Sequence, residues 1–531
     1  MIKTDITVGI NYNTEAIKDS ICRALPVSRE EIGEIRILKK TLKIEKEKYF
    51  ALSLGIEFSP EREAGLLKMR KKVSHCPDYD MKLPEVKSAA PPVIVGAGPA
   101  GLFAALTLAE SGLSPIVLER GERVEERRKR VSLFFTEKEL DPESNIQFGE
   151  GGAGAFSDGK LKVGGMDKYK YKVLREFVAA GAPEDIIYTV GAHLGTDKLP
   201  SYVKRIREKI ISLGGEFIYR ARVTEIENKN GSVTGAVYEK DGKKERIDTD
   251  RVILATGHSA KDSFEMLKRM GVPMEARGFG IGVRLEHKRE YINELILGEA
   301  EPPCEIGSAS YHLVTHLPSG RSVYSFCMCP GGTVVAAASE SGGIVTNGMS
   351  EEARLADNSN AAILVSVTPA DFASDDALAG LELQRKIERA AFLSAGADYT
   401  APSLELDCFM KNDKPRLSKS VEASYPCGVL PVSAEDYLPT FVTDSIRAAM
   451  LDFDDYLRGF YCPEALITGA ETRSTSPIRV IRDDNFVSAT LSGLYPIGEG
   501  AGYAGGIVSS GVDGVRCAER IILELLKKST N

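Results

Sequence analysis

The sequence lacks the features that mark membrane, secreted and zinc-binding proteins. No uncharged apolar run approaches the roughly 20 residues that a membrane-spanning helix needs, and the opening residues, Met1 to Asp5, do not lead into the apolar core of a secretion signal. The nine cysteines are scattered, odd in number and without C-x-x-C spacing. Zinc would need four ligands, and no second cysteine pair lies at finger spacing. We therefore expect reduced thiols, no metal and a cytoplasmic location.

Internal repeats, low-complexity tracts and a catalytic triad are also missing. No period of roughly 20–50 residues recurs, and the histidines have neither H-E-x-x-H nor triad spacing. The formal net charge of −8 disfavours nucleic acid and anionic membrane surfaces as partners. The 531 residues, 43% apolar and 27% charged, are enough for several globular domains with a large core.

A glycine fingerprint organises the rest of the chain. The β-branched run Val93 to Val95 predicts a buried parallel strand and runs into Gly96-x-Gly98-x-x-Gly101. An Ala- and Leu-rich segment at helical spacing follows, from Leu102 to Ser111, and then a second strand that ends in Glu119. This is a complete βαβ start with an acid about 20 residues after the glycines, which predicts dinucleotide binding.

Each residue type in the fingerprint has a physical reason. Gly96 permits the tight turn, Gly98 lets the backbone approach a pyrophosphate, and Gly101 lets helix and strand pack closely. The helix N-terminus offers free N–H groups and the positive end of its dipole to the phosphates. Glu119 can accept hydrogen bonds from a pair of ribose hydroxyls. Among the arginines that follow, one or two can neutralise the pyrophosphate or the adenosine end, and the remainder are expected on a solvated helix.

A second glycine-rich stretch, Gly149 to Gly154, repeats the formal pattern but lacks its context. No β-branched strand precedes it and no apolar helix follows it, so it does not predict a second nucleotide fold. We expect a loop whose backbone comes very close to a flat ligand, with Ser157 and Lys160 as polar groups available to that ligand. A purely structural loop is the alternative.

The later segments favour a flavoprotein. A strand over Glu216 to Ile226, a hairpin at Asn230-Gly231 and a strand that ends at Ala255-Thr256-Gly257 form a meander typical of FAD-binding proteins. Near the C-terminus, Gly498-Glu499 follows a strand and can bind the ribityl or phosphate region. The helix that follows Gly505-Gly506-Ile507 can direct its N-terminus at the flavin N1–C2=O, where charge builds up on reduction.

Several of these segments together resemble the bacterial FAD-dependent dehydrogenase family, a glutathione-reductase-like flavoprotein group. The resemblance spans nearly the whole chain and is carried by the motifs at residues 118–127, 142–161, 193–197, 282–287, 324–332, 346–350, 471–479 and 493–513. One departure is Glu499, where the wider flavoprotein pattern has Asp. The resemblance implies bound FAD held by the following residues: Gly96, Gly98, Pro99, Ala100, Gly101, Glu119, Arg120, Arg127, Gly152, Ala153, Ser157, Lys160, Val223, Ala255, Thr256, Gly257, Gly498, Glu499, Gly505, Gly506 and Ile507.

The expected fold class is α/β, a doubly wound Rossmann-like FAD-binding domain interrupted by an inserted α+β substrate domain. A small α+β, ferredoxin-like module over residues 1–76 precedes it, as a docking or lid domain or a packed appendage, and a proline-containing linker over residues 77–91 follows. We place the FAD-binding domain at residues 92–260 and 484–531, and the substrate domain at residues 261–483.

Two cysteines and two further residues are candidates for catalysis. Cys327 and Cys329, two apart on an expected strand, should point to one face; Cys329 can face the flavin, or both can be small core residues. His258, next to the Ala-Thr-Gly strand end, can donate a proton to the substrate or serve a structural hydrogen bond. Arg473 can bind a carboxylate or phosphate of the substrate, or form a salt bridge between domains.

These observations predict an FAD-dependent oxidoreductase that transfers a hydride between FAD and an unidentified small molecule. NAD(P)H is a candidate transient electron donor and a redox protein a candidate partner, although the sequence has no second βαβ nucleotide motif. The alternatives are a flavin monooxygenase on the same scaffold and a non-catalytic, flavin-bound protein regulated by a partner.

Overall fold

The computed structural model describes residues 1–69, 73–88, 90–161 and 165–530. Within those ranges, none of the helices is both long enough and apolar enough to cross a membrane. The described chain forms three main sheets, of four, five and seven strands.

The first sheet belongs to the N-terminal residues. Its elements are β1 (Ile2–Gly9), α1 (Thr14–Ala24), β2 (Ile35–Ile44), β3 (Lys48–Ile56), α2 (Pro60–Leu66) and β4 (Ser74–His75). The strand order β2-β3-β1-β4, with antiparallel neighbours, is the ferredoxin-like arrangement. Its edge strand β2 joins the rest of the protein at Lys40, whose backbone exchanges hydrogen bonds of 2.7 and 2.9 Å with Tyr188 and Val190.

The middle of the chain alternates strands and helices. The elements are β5 (Val93–Val95), α3 (Pro99–Glu110), β6 (Ile116–Glu119), α4 (Val124–Glu137), α5 (Lys168–Ala179), α6 (Leu199–Ser212), β7 (Glu216–Tyr219), β8 (Arg222–Lys229), β9 (Ser232–Lys240), β10 (Lys243–Asp248), β11 (Val252–Leu254) and α7 (Lys261–Arg269). The prediction of a single continuous strand over Glu216 to Ile226 is wrong. Arg220, with φ of 55°, breaks it, so that β7 joins one sheet and β8 starts the antiparallel meander β8-β9-β10.

The third part is rich in antiparallel strands. Its elements are β12 (Met274–Ala276), β13 (Phe279–Lys288), α8 (Arg289–Leu297), β14 (Val314–His316), β15 (Ser322–Cys329), β16 (Thr333–Ala336), β17 (Thr346–Met349), β18 (Asn358–Val367), α9 (Ala379–Ser394), β19 (Ala401–Glu405), α10 (Leu406–Lys411), β20 (Val429–Pro431), α11 (Thr440–Tyr456), β21 (Leu466–Glu471) and β22 (Ile478–Val480). Seven of these strands form one sheet in the order β14-β15-β18-β13-β21-β19-β20. The central strands β13 and β18 are buried along almost their whole length.

The chain ends by returning to the parallel sheet. β23 (Leu494–Pro496) and α12 (Ile507–Thr530) complete the order β23-β11-β5-β6-β7, with every neighbour parallel. Helices α3 and α12 pack closely because Gly514 has no side chain; a Cβ there would lie 2.1 Å from the carbonyl oxygen of Ala100. This is the mixed α/β, Rossmann-like fold of flavoproteins.

Candidate functional site

The carboxyl ends of the parallel strands open into one long cleft. Strands β5, β6, β11 and β23 all end at it, as ligand sites in open α/β sheets do, and part of the seven-stranded sheet closes its far side. The cleft encloses about 1780 Å³, part of it open to solvent. All but two of the predicted FAD-contacting residues line it, the exceptions being Gly101 and Arg127.

The first glycine loop is shaped by backbone contacts. Gly96 has φ of 103°, and a Cβ there would lie 2.5 Å from the carbonyl oxygen of Ala255, so this left-handed turn requires glycine. Gly98 is the residue that precedes α3 and lines the cleft. Gly101 does not reach the cleft; a Cβ there would lie 1.9 Å from the Gly96 carbonyl oxygen. Its role is therefore packing, and its assignment as a cofactor contact is wrong.

Glu119 joins three loops at one edge of the cleft. Its buried carboxylate accepts hydrogen bonds from the backbone N–H groups of Ala97 (2.8 Å), Gly121 (2.9 Å) and Gly149 (3.0 Å). Three donors leave part of the acceptor capacity of a carboxylate for a ligand hydroxyl. The acid predicted for the ribose thus also fixes the shape of the cavity that would receive it.

Arg127 holds the second glycine loop from behind and does not face the cleft. The fully buried guanidinium donates hydrogen bonds of 2.6–3.2 Å to five backbone carbonyls, those of Asn145, Ile146, Gly149, Glu150 and Gly152. Burial lowers its pKa to about 10. Its expected contact with the pyrophosphate or adenosine is wrong, because no donor points toward the ligand. The loop it holds approaches the first glycine loop so closely that a Cβ on Gly152 would lie 3.1 Å from Gly98 Cα.

Arg120 lines the cleft with its charge already paired. The guanidinium donates to the carboxylates of Glu143 and Asp262 at 2.8–3.2 Å, and it lies 4.2 Å from the ring centroid of Phe148. Because two carboxylates neutralise its positive charge, this guanidinium can contact a ligand mainly through its flat face.

His258 and Glu499 meet in the middle of the cleft. His258 Nδ1 lies 3.4 Å from a carboxylate oxygen of Glu499, and the imidazole is nine-tenths buried. Its Nε2 is buried and has no hydrogen-bond partner within the ranges that the structure describes. His258 lines the cleft, so this nitrogen is available to a ligand there.

Arg473 is an interior ion-pair residue. Its guanidinium donates to both carboxylate oxygens of Glu388, at 3.0 and 2.9 Å, and to the hydroxyls of Ser259 and Ser339. Arg473 borders the cleft, but these four contacts engage all three guanidinium nitrogens and pair its charge with Glu388, so its role in binding a substrate anion stays a prediction. The salt bridge to Glu388 lies within residues 261–483, and only the contact with Ser259 reaches the preceding segment. The two cations Arg473 and Lys261 outweigh the burial of Glu388 and lower its pKa to about 2.

The far end of the cleft holds a polar cluster of which the sequence indicated only Cys327. Cys327, Asn347 and Glu471 line it, and Arg284 stands behind all three. The Arg284 guanidinium donates to the Cys327 carbonyl (2.9 Å), to Asn347 Oδ1 (3.0 Å) and to both oxygens of Glu471 (2.9 and 2.7 Å). Burial raises the pKa of Glu471 despite this cation.

The expectation that Cys329 faces the cofactor, and that both cysteines follow regular strand alternation, is wrong. Cys327 has φ of 44°, and the pairing of β15 with β18 shifts register between Phe326 and Cys329. This bulge turns Cys327 to the cleft and leaves Cys329 fully buried. Lys160 lines the same end of the cleft, with its Nζ 3.6 Å from Asp158.

The C-terminal helix begins at the cleft. Gly505 and Gly506 precede α12, and a Cβ on Gly505 would meet no atom within 4 Å. The N–H groups of the first turn of a helix lack partners inside that helix, so the start of α12 offers donors to a ligand, as does the start of α3. Val223, Ala255, Thr256 and Gly257 also border the cleft.

The residues that line the cleft fit FAD. Two helices begin at it, two glycine loops bring bare backbone to it, a strand-end acid lies at one edge, and the buried His258 imidazole also lines it. These are the donors and the close approaches that a dinucleotide needs.

Two sequence families cover most of the chain. Residues 91–263 match the family described as pyridine nucleotide-disulphide oxidoreductase, and residues 278–474 match the family described as FAD-dependent protein, C-terminal domain-like. The first match contains both glycine loops and the second contains the polar cluster at the far end of the cleft.

One relative matches nearly the whole chain. An uncharacterized protein of Clostridium beijerinckii is 41% identical over 530 residues, which cover 98% of each chain. Among solved structures, the glycerol-3-phosphate dehydrogenase of Bacillus halodurans with FAD is 12% identical, with a TM-score of 0.35 over 84% of this chain and 66% of that chain. A halogenase, PltM, in complex with FAD is 11% identical, with a TM-score of 0.39 over 83% and 70%. Both TM-scores are low, so the assignment rests on the sequence matches: the chain belongs to a bacterial family of FAD-dependent oxidoreductases.

Proposed function

We propose that this oxidoreductase transfers a hydride between bound FAD and a small-molecule substrate that occupies the far end of the cleft. The observation that carries the proposal is the continuity of the cleft, which runs from the glycine fingerprint to Lys160 and the polar cluster of Cys327, Asn347 and Glu471. A cofactor that extends along this cleft from the fingerprint would leave its other end beside these side chains.

The FAD-binding residues divide by their chemistry. Glu119 and the backbone around Gly96 and Gly98 would hold the adenosine and the phosphates, and the start of α12 at Gly505 and Gly506 would hold the other end. When bound, FAD supplies two-electron redox chemistry at its isoalloxazine ring. The protein's part is to bind, orient and exclude water.

The substrate residues are those that the seven-stranded sheet brings to the cleft. We infer that Lys160 attracts a negatively polarised group of the substrate, since within the described residues its ammonium has one carboxylate neighbour, at 3.6 Å. Glu471, held by Arg284, fixes the neighbouring wall. The unpartnered His258 Nε2 can exchange a proton with a hydroxyl of the cofactor or the substrate. Residues 261–483 would then be the substrate domain.

The visible spectrum of the purified full-length protein tests the proposal. We expect a yellow protein that releases FAD on denaturation, and whose flavin absorbance is bleached by anaerobic NADPH or NADH if a nicotinamide is the donor. A protein that stays yellow with both nucleotides directs the search for an electron donor to small-molecule substrates and redox proteins.

Two results would contradict the proposal. One is a colourless protein that takes up no FAD on reconstitution. The other is a yellow protein whose flavin is neither reduced by any small-molecule donor nor reoxidised by any small-molecule acceptor, which would indicate a non-catalytic flavin-bound protein. Consumption of molecular oxygen coupled to a hydroxylated product would identify a monooxygenase instead.

A further inference from the structure

The side-chain amide of Asn347 is held by its oxygen. Asn347 lies on β17 and lines the far end of the cleft. Its Oδ1 accepts hydrogen bonds from Arg284 Nη2 (3.0 Å) and from the backbone N–H of Gly348 (2.8 Å). Because both neighbours are donors, the atom that meets them must be the amide oxygen. Within the described residues the NH₂ group makes no hydrogen bond to the protein, so its two N–H groups are available to a ligand in the cleft.

Lys160 carries the surplus positive charge at this end of the cleft. The carboxylates that line this end, Asp158 and Glu471, each have an arginine of their own. Asp158 accepts a hydrogen bond of 3.0 Å from Arg354 Nη2, and Glu471 accepts bonds of 2.9 and 2.7 Å from Arg284. Lys160 Nζ lies farther from Asp158, at 3.6 Å. Two carboxylates thus face three cations, and the charge of Lys160 is left over.

The remaining polar groups at this end already have partners or carry no charge. The hydroxyls of Ser157 and Ser474 each donate to a backbone carbonyl and accept from a backbone N–H. The guanidinium of Arg473 has all three nitrogens engaged. The His193 imidazole is neutral near pH 7, because burial lowers its pKa to about 4. Among the described side chains, this leaves the ammonium and the amide NH₂ as the donors open to a ligand.

We propose that the substrate carries a carboxylate, which binds between the ammonium of Lys160 and the side-chain NH₂ of Asn347. The proposal rests on the proposed function for the presence of a substrate at this end of the cleft. One ammonium neutralises one negative charge, and the NH₂ group donates hydrogen bonds that a carboxylate oxygen accepts. A dianion would keep one charge without a partner in a partly enclosed site, which is costly. Arg284 is a positioning residue, since it holds the amide from the side away from its NH₂ group.

Cys327 reports on the occupancy of this site. It lines the same end of the cleft, and its carbonyl oxygen shares the Arg284 guanidinium with Asn347. A bound carboxylate would cover the thiol, and its negative charge would disfavour the thiolate that reacts with iodoacetamide. Both effects slow the alkylation of Cys327. Protection of this thiol therefore measures binding without turnover of the enzyme.

The assay compares small carboxylates with their neutral amides. The FAD-loaded protein reacts with iodoacetamide at constant ionic strength in the presence of propanoate, benzoate, propanamide, benzamide or inorganic phosphate. Trypsin releases residues 322–354 as one peptide that contains Cys327, because no lysine or arginine lies between Arg321 and Arg354. We expect propanoate or benzoate to slow the alkylation of Cys327 with saturation, whereas the amides have no effect and phosphate protects less. The exposed Cys304 is the internal control and should react at an unchanged rate.

Two variants remove the two donors separately. Lys160→Met removes the ammonium. Asn347→Asp keeps an acceptor for Arg284 and replaces the NH₂ group by an oxygen. Each should raise the carboxylate concentration for half protection at least about tenfold, relative to the alkylation rate of the same variant without carboxylate. Lys204→Met is the matched control, since Lys204 is exposed on α6 and pairs there with Glu125 and Glu208; it should match the wild type.

The carboxylate proposal is overturned if neither acid protects Cys327, if the amides or phosphate protect as well as the acids, or if both variants are protected like the wild type. FAD retention, measured in the same samples, identifies a further contradicting result. If Asn347→Asp loses FAD but keeps its protection by the acids, the NH₂ group binds the cofactor and the carboxylate site fails.

The same samples keep this proposal apart from the proposed function. A flavin that uncharged small molecules reduce, in a protein that no carboxylate protects, refutes the carboxylate site alone. Protection of Cys327 by an acid in a protein that takes up no FAD refutes the proposed function alone.

Discussion

Arg284 and Glu471 lie on the neighbouring strands β13 and β21, and the guanidinium donates hydrogen bonds of 2.9 and 2.7 Å to the two carboxylate oxygens. Both side chains are buried, at 0% and 3% exposure. The same guanidinium reaches the Cys327 carbonyl and the Asn347 side chain. One buried cation thus fixes three residues at the far end of the cleft.

Loss of either partner should destabilise the protein strongly. Arg284→Met leaves the Glu471 carboxylate buried without its cation, and breaking a buried pair in this way costs about 3–5 kcal/mol. Urea denaturation followed by circular dichroism measures the loss. Arg123→Met is the matched control, since its pair with Glu126 is more than two-fifths exposed on both sides and should contribute less than about 1 kcal/mol. Equal losses in the two variants would contradict the assigned role of Arg284.

Glu119→Gln should weaken FAD binding without unfolding the protein. The Glu119 carboxylate accepts hydrogen bonds from three backbone N–H groups. In the variant, the NH₂ of the amide would face one or more of these donors and could not accept from them. A ligand hydroxyl that donates to the carboxylate would then lose a hydrogen bond to a charged group, worth about 1.5–3 kcal/mol, which raises the dissociation constant for FAD about 10- to 100-fold. Quenching of flavin fluorescence measures it, with the surface variant Glu126→Gln as control. Unchanged affinity in Glu119→Gln would exclude this carboxylate from the site.

Arg127→Lys tests the second glycine loop. The lysine keeps the charge but has three donors in place of the five N–H groups of a guanidinium, so at least two of the five loop carbonyls lose their partner. We expect FAD affinity to fall at least about tenfold, because the loop that meets Gly98 is no longer held. The neighbouring exposed Arg128→Lys should leave affinity unchanged. If Arg127→Lys also leaves it unchanged, the loop does not depend on Arg127.

The sequence predicts the nucleotide end of the site because its determinants are local. The tight turn at Gly96 and the acid at Glu119 are separated by fewer than 25 residues, and each follows from a strand end. The far end depends on distant partners. Arg473 pairs with Glu388, 85 residues earlier, and the orientation of Cys327 depends on a bulge that strand alternation cannot anticipate.

Arg127 shows the same limit at short range. Its position in the chain is compatible with a phosphate contact. Only the three-dimensional path of residues 145–152 shows that the guanidinium donates its hydrogen bonds to backbone carbonyls. Buried polar residues with several partners are thus the least predictable part of this site, since their partners are set by tertiary packing.

Acid should destabilise the protein partly through Glu388. Its pKa is about 2 in the folded protein against an ordinary value of 4.5, so its contribution is complete above pH 4.5 and is lost as the pH falls toward 2. Between about pH 6 and pH 3 the wild type should lose about 2 kcal/mol more than Glu388→Gln. The urea midpoints of the wild type and of Glu388→Gln, measured at several pH values, give the two losses of stability. Parallel pH profiles would contradict an ionised Glu388 in the folded protein.

Alkylation of Cys327 should persist at low pH. The Cys329 thiol and the cations Lys160 and Arg284 hold the pKa of Cys327 well below that of an ordinary thiol, and only the thiolate reacts with iodoacetamide. The exposed Cys304 is an internal control, because an ordinary thiol loses about tenfold in rate for each pH unit below its pKa. Peptide mass spectrometry of the FAD-free protein between about pH 5 and pH 9 gives both rates.

Lys160→Met tests whether Cys327 reacts at low pH because a nearby positive charge lowers its pKa or because the thiol is accessible from the cleft. With the ammonium removed, the thiolate of Cys327 loses one stabilising cation, so the onset of alkylation should move to higher pH while the plateau rate at high pH stays the same. A lowered plateau with an unmoved onset would mean that Lys160 controls access to the cleft and not the charge of the thiol. If Cys327 and Cys304 follow the same pH profile in the wild type, Cys327 has the acidity of an ordinary thiol, and its neighbours do not lower its pKa.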